Sequence, residues 1–261
     1  MIVDTFMFDD EFEMLDCRLY ELNGIVDRFI AIEANHSFTG IPKPYNLTAA
    51  KERYADYPLE IVTVDTTDVS SLTDQRLAPY AMWAYAQTVE FWRREVYQRL
   101  AVDPILRDLP PDAVILHGDL DEIPRREIVA AFDGPVSVCR MTSYVYSIGL
   151  CLEDAWAGTV MGKRRDMGQM AAVRASRWWF EQILRGGWHL SWFGSPERRV
   201  HKFTHSAHQE WRETVGDSIG AEYPAKKKHL GGLDLIEWYG GAPHYVLDGL
   251  APEIWTKRWW E

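Results

Sequence analysis

Cysteine is scarce in this chain: Cys17, Cys139 and Cys151 stand far apart, odd in number and with no C-x-x-C pair. That pattern suggests neither a disulfide framework nor a zinc site, and reduced thiols in a cytoplasmic setting are the expectation. No run of about 18 apolar residues occurs that could span a bilayer. The opening Met1-Ile2-Val3-Asp4-Thr5 carries acid at once, where a secretory leader would have basic residues and then an apolar core. Positive charge is in short supply, 28 Lys and Arg against 39 Asp and Glu for a formal charge of -11. Such a balance argues against a broad nucleic-acid surface. Two basic clusters run against it, Lys163-Arg164-Arg165 and Lys226-Lys227-Lys228-His229, and they read as solvated loops or as local phosphate contacts. There is no G-x-G-x-x-G after the first apolar stretch and no G-x-x-x-x-G-K-[ST] anywhere, so neither an ordinary dinucleotide site nor a P-loop is expected.

What is present is enough apolar residue, 47% of 261, to build a substantial core. Ile2 to Phe8 reads as a strand closed by Asp9-Asp10-Glu11, and Phe12, Leu15, Leu19 and Leu22 then follow helical spacing up to Asn23-Gly24. Arg28 to Ile32 is a second strand, ending in Glu33-Ala34-Asn35, and Leu59 to Val64 a third, ending at Asp65. A strand-helix-strand opening with acids at successive strand ends describes a doubly wound, nucleotide-binding α/β half. Pro79 to Leu100 has a helical pattern with aromatics at Tyr80, Trp83, Phe91 and Trp92, and Glu95 with Arg99 at the spacing of an exposed ion pair. Beyond Gly134-Pro135 the chain turns to β-formers from Val136 to Tyr146. Its densest aromatic segment is Gly186 to Gly194, where Trp188 and Trp192 suit either core packing or the face of a sugar ring. Trp255 to Glu261 reads as a mobile or docking tail.

The stretch of most chemical interest is Ala113 to Pro124, an apolar run that ends in Asp119, Asp121 and Glu122 before Pro124 opens a helix. Ligands of open α/β sheets sit beyond the carboxyl ends of the strands, where these acids fall. Two aspartates two residues apart share a face of an extended strand, and crowded carboxylates call for a neutralising cation. Asp119 and Asp121 are therefore the expected ligands of a divalent metal, Mn2+ or Mg2+. The plainer alternative is a solvated acidic turn placed at a helix N-terminus.

Several ordered motifs resemble those of the family 17 glycosyltransferases, the N-acetylglucosaminyltransferase-like group. They are Asp4-Thr5-Phe6 with Glu11 to Leu22, Phe29 to Asn35, Glu95 to Arg99, Asp119 to Pro124, and Gly187 to Trp192 followed by Lys202. The resemblance implies one GT-A-type, Rossmann-like α/β domain with a mixed central sheet, its nucleotide-binding half over about 1–124 and its acceptor-side half over about 125–261. It also implies a nucleotide-diphosphate sugar donor, by family UDP-N-acetylglucosamine, a divalent cation, and inversion at the anomeric carbon during transfer to a glycan, protein or other hydroxyl acceptor. By the same resemblance Phe8, Asp9, Glu33, Arg99, Asp119, His189 and Lys202 would line the donor pocket. His189 would join Asp119 and Asp121 at the metal, and Glu122, His208 and Glu210 are the candidates for the base. A carbohydrate-binding module and a nucleotide-sugar hydrolase are the alternatives.

Overall fold

The computed structural model describes residues 1–72, 89–238 and 240–256. In chain order the main elements are β1 (Ile2–Phe8), α1 (Phe12–Leu22), β2 (Arg28–Ala34), α2 (Asn46–Ala49), β3 (Leu59–Val64), α3 (Val89–Leu100), α4 (Asp103–Arg107), β4 (Val114–Asp119), β5 (Glu122–Pro124) and α5 (Arg126–Ala131). There follow β6 (Ser137–Val145), β7 (Leu150–Cys151), β8 (Trp156–Lys163), α6 (Met170–Ser176), β9 (Glu181–Ser191), α7 (Pro196–His205) and β10 (Ile236–Glu237).

The central sheet is mixed. Strands β3, β2, β1 and β4 lie side by side in that order, all parallel. β8 then pairs antiparallel with β4 on one side and with β6 on the other, and β9 runs parallel to β6 while taking β5 antiparallel. The α/β, mixed-sheet class expected from the sequence is what the chain adopts.

Alternation along the strands fixes the two faces. Phe6, Phe8, Phe29, Ala31 and Leu116 face α1 through Leu15, Leu19 and Leu22. Val3, Ile30, Ile32 and Ile115 face the opposite layer, with Val102, Leu106, Met170 and Val173. Charged residues interrupt this alternation, among them Asp4 in β1 and Glu33 in β2. Asp4 points to the α1 side and forms a bidentate pair with Arg18, two bonds of 2.7 Å between side chains that are wholly buried. Arg18 Nη1 continues to the carbonyl oxygens of Asp119 at 2.9 Å and Glu122 at 2.8 Å, so a helix residue clamps the turn that carries the acids.

Several local expectations need correction. Pro124 opens no helix: it closes β5 opposite Gly187, and α5 starts at Arg126. A proline without an N–H suits the last rung of a short edge ladder. Gly187 is obligatory there, since a Cβ would meet the Ile123 carbonyl oxygen at 2.2 Å. Of the long helix expected from Pro79, only Val89–Leu100 belongs to the described residues, and Tyr80 and Trp83 lie outside them. Trp255 is no part of a loose tail; it is buried, edge-on to Phe193 at 5.3 Å, and residues 257–261 lie outside the described range. The basic clusters are tied locally: Lys163 pairs with Asp133, Lys226 with Glu222 and Lys228 with Asp234.

Candidate functional site

The carboxyl ends of β1 and β4 lie next to each other, because the two strands are adjacent and parallel with Met7 opposite Asp119. Two acidic turns therefore meet at one edge, Asp9-Asp10-Glu11 and Asp119-Leu120-Asp121-Glu122, and α7 from the second half of the chain reaches both.

Strand β4 ends at Asp119, and the chain turns at Leu120-Asp121 before β5. Asp119 and Asp121 thus do not share a strand face, contrary to the extended-strand expectation. Asp119 accepts from Arg99 Nη2 on Oδ1 and from Arg174 Nη2 on Oδ2, each at 2.5 Å. Burial alone would raise its pKa, but the Arg174 and Arg99 guanidinium charges more than reverse this and hold it well below the usual carboxylate range. Arg99 also keeps its helical partner Glu95 at 2.9 Å, so the i,i+4 pair and the contact to the acidic strand coexist.

Behind them, His117 Nδ1 lies 2.8 Å from Thr5 Oγ1, whose hydroxyl donates to the Leu116 carbonyl at 2.9 Å. With Nε2 3.4 Å from Arg99 Nη1, the consistent tautomer carries its proton on Nδ1. Burial, reinforced by Arg99 and Arg174, pushes this imidazole well below its ordinary pKa, and it is neutral.

Glu122 is wholly buried and its oxygens are spoken for. Arg174 donates to both of them at 2.7 Å, Trp156 Nε1 donates to Oε1 at 2.5 Å, and the Asp119 amide donates to Oε2 at 3.0 Å. A carboxylate with four donors and no exposure cannot collect a proton from an acceptor hydroxyl, so Glu122 is corrected from candidate base to anchor of the turn. Gly118 permits this packing: a Cβ there would meet Thr159 Oγ1 at 2.5 Å and Glu122 Oε2 at 3.0 Å.

Asp121 looks the other way. Lys202 Nζ of α7 sits 2.8 Å from Asp121 Oδ2 and 2.8 Å from Glu11 Oε1, bridging the two acidic turns. Burial would lower the amine, but Asp121 and Glu11 reverse that and hold its pKa above the usual lysine range, while burial raises the Glu11 carboxyl. His189 stands opposite Glu122 in the β5–β9 ladder. Its Nδ1 is 3.0 Å from Ser143 Oγ, its ring stacks on Trp156 at 4.8 Å, and its Nε2 is 3.8 Å from Asp121 Oδ1. Desolvation lowers its pKa, so it is a neutral imidazole.

As a cation cage, Asp119, Asp121 and His189 do not fit. Both Asp119 oxygens are held by arginines and one Asp121 oxygen by a lysine, which leaves Asp121 Oδ1 and His189 Nε2 as the two free ligand atoms. Among the described residues, one group of three His, Cys, Asp or Glu side chains brings its ligand atoms within 4.8 Å of one another, and it is Asp9, His201 and His205.

Two donor-pocket expectations are also corrected. Glu33 is wholly buried and accepts from the Leu47 amide at 2.6 Å and the Thr48 amide at 3.0 Å, capping the start of α2. Phe8 is buried and packs edge-on against Phe12 at 5.2 Å, a core residue. Asp9 does reach the edge, contacting Lys43 at 3.2 Å and His205 Nδ1 at 3.1 Å.

Past α7, His208 Nδ1 lies 2.9 Å from Glu210 Oε1, with His208 half-exposed and Glu210 nearly buried. Trp92 of α3 meets the His208 ring edge-on at 5.4 Å.

Sequence reasoning left out Arg18, Arg174, Glu11 and Trp156. Arg18 had a signal: it falls between Leu15 and Leu19 on the apolar face of α1, as Asp4 falls within an apolar strand. Arg174, on a seven-residue helix, offers none.

A parallel half with acids at its strand ends, joined to an antiparallel half that returns charged and aromatic side chains to the same edge, defines an α/β protein with its site at that junction. The class follows from comparison with known proteins: the chain belongs to glycosyltransferase family 17, whose family model matches residues 1–210. Among curated proteins it is similar to the β-1,4-mannosyl-glycoprotein 4-β-N-acetylglucosaminyltransferases of Rattus norvegicus and Homo sapiens, each 29% identical over 130 residues. That stretch is 48% of this chain and 22% of each relative's length. Among solved structures it is similar to the galactosyltransferase LgtC in complex with donor and acceptor sugar analogs, at 11% identity and a TM-score of 0.35 over 97% of this chain and 92% of that one. Another is glucosyl-3-phosphoglycerate synthase from Mycobacterium tuberculosis in complex with Mn2+, UDP and phosphoglyceric acid, at 12% identity and a TM-score of 0.33 over 72% of this chain and 69% of that one. Among the described residues, no helix is long and apolar enough to cross a membrane.

Proposed function

We propose that the chain is a single GT-A-type domain that transfers a sugar, N-acetylglucosamine by family, from a UDP-linked donor to a hydroxyl of a glycan or other acceptor, with inversion. The observation that carries this reading is the family match over residues 1–210, which takes in both acidic turns, Arg99, Arg174, His189, Lys202, His208 and Glu210.

Inversion in one displacement needs a base within hydrogen-bond reach of the acceptor hydroxyl. The His208–Glu210 pair fits: the Nδ1–H given to Glu210 leaves Nε2 as the proton acceptor, and the carboxylate fixes the ring and steadies the imidazolium that forms. Lys202, about a quarter exposed and bridging Glu11 and Asp121, is a cation at the open edge that would meet the departing diphosphate. Arg99 and Arg174 hold Asp119 and Glu122 in place rather than offering free charge. His189, neutral and stacked on Trp156, suits a hydrogen bond to a sugar hydroxyl. No step is assigned to a metal between Asp119 and Asp121, since their oxygens are largely committed.

The test is incubation with UDP-N-acetylglucosamine and other nucleotide sugars, with and without glycan acceptors. Nucleotide release that depends on acceptor supports transfer; release regardless of acceptor indicates a hydrolase, and saturable sugar binding without release a binding module. His208→Ala should lower kcat about 10²–10⁴-fold with donor affinity kept, and an unchanged kcat removes His208 as base.

A further inference from the structure

The structure assigns a divalent-cation site to Asp9, His201 and His205, taking a borderline transition ion such as Co2+, Ni2+ or Zn2+.

His201 and His205 lie one turn apart on α7, so both imidazoles leave the same face of the helix; their ring centroids are 3.9 Å apart. Asp9, at the end of β1, approaches that face, and the three ligand atoms lie within 4.8 Å of one another. The shortest spacing is informative. Asp9 Oδ2 to His205 Nδ1 is 3.1 Å, and two ligands each about 2.0–2.2 Å from one ion are separated by about 3.0–3.5 Å. Two imidazoles and one carboxylate are the ligand set that borderline transition ions prefer over Mg2+ or Ca2+.

The surroundings support the ligands. Asp10 Oδ2 lies 3.4 Å from His201 Nδ1 and can accept its proton, which leaves Nε2 for the ion. Asp10 is itself fixed by Arg198, whose Nη2 donates to Oδ1 at 2.6 Å. His201 is 43% exposed and His205 14%. An ion therefore has a way in, and its remaining positions face water. Lys43 opposes the site: its Nζ is 3.2 Å from Asp9 Oδ1, the oxygen the ion does not need, and places like charge near it. Ligands that come from the first strand and from a helix nearly two hundred residues later also mean that a bound ion pins α7 onto the parallel half, beside the Lys202 bridge.

The experiment is titration of EDTA-treated, dialysed protein with Co2+, followed by visible absorption, and with Zn2+ by calorimetry, with no sugar donor present. One ion per chain is expected. His201→Ala and His205→Gln should each weaken binding at least tenfold with far-UV circular dichroism unchanged, Asp121→Asn should leave it unchanged, and Lys43→Met should tighten it. Absence of stoichiometric binding, equal affinity in the His201→Ala protein, or loss on Asp121→Asn overturns the assignment. No turnover enters the measurement, so its failure leaves the transferase reading standing, and failure of that reading leaves the site standing.

Discussion

Two acidic turns occupy adjacent strand ends of one sheet, and they are built on opposite principles. In the turn after β4, Asp119 and Glu122 are saturated by guanidinium and indole donors from α3, α6 and β8, and Glu122 has no exposure. In the turn after β1, Asp9 and Asp10 are partly exposed and touch imidazoles and single cations. The difference teaches that an acid's position at a strand end decides where it is, while its partners decide what it is free to do. Asp119 and Glu122, enclosed by arginines, shape a wall; Asp9, facing His205, can still take a ligand.

The sharpest way to break the comparison is to remove the cation from the saturated turn. Arg174→Met strands a buried Glu122 and should cost about 3–5 kcal/mol in urea unfolding, and pairing it with Glu122→Leu should recover much of that, as apolar replacement of a buried ion pair often does. Arg198→Met removes the corresponding partner from the exposed turn. Its ion pair with Asp10 is about a quarter exposed, so the loss should be about 1 kcal/mol or less; equal losses at the two turns would end the distinction.

Acid sharpens the same contrast. His229, lowered to about 3 by burial, and His117 and His189, lowered chiefly by desolvation, are neutral in the folded chain. The unfolded chain takes up their protons below about 6.5, so stability is complete above that pH and falls from about 6.5 toward 3 as the unfolded state binds more protons. His229→Gln should flatten this limb in pH-dependent unfolding. The smallest effect belongs to Asp9, whose carboxyl is held at about 2 against the rise that burial causes, by the His205 hydrogen bond and Lys43. Its contribution is present above about 3.8 and is lost as pH falls through 2, so Asp9→Asn should lower the curve by a constant amount above pH 4, with its slope unchanged there, and flatten it below.

Much of the scaffold was legible. β1, α1 and β3 have the bounds their apolar periods indicate, and β4 ends at Asp119 as its run of apolar residues does. The site was legible as a list and not as a geometry. Asp121 and Lys202 both read as site residues, but nothing in their separation of 81 positions says that they meet at 2.8 Å. Glu33 reads as an exposed strand-end acid because the residues it caps, Leu47 and Thr48, carry no mark of doing so. Glu122 reads as a base because the sequence shows its charge and hides Arg174.

By itself the sequence determined the alternation of strand and helix, the identity of the two acidic turns and the family, because periodicity and local motifs act over a few residues. Only the tertiary structure decided which carboxylates are consumed and which remain open. That choice depends on cations and imidazoles carried in from distant helices, and on how completely the surrounding packing removes water from each pair.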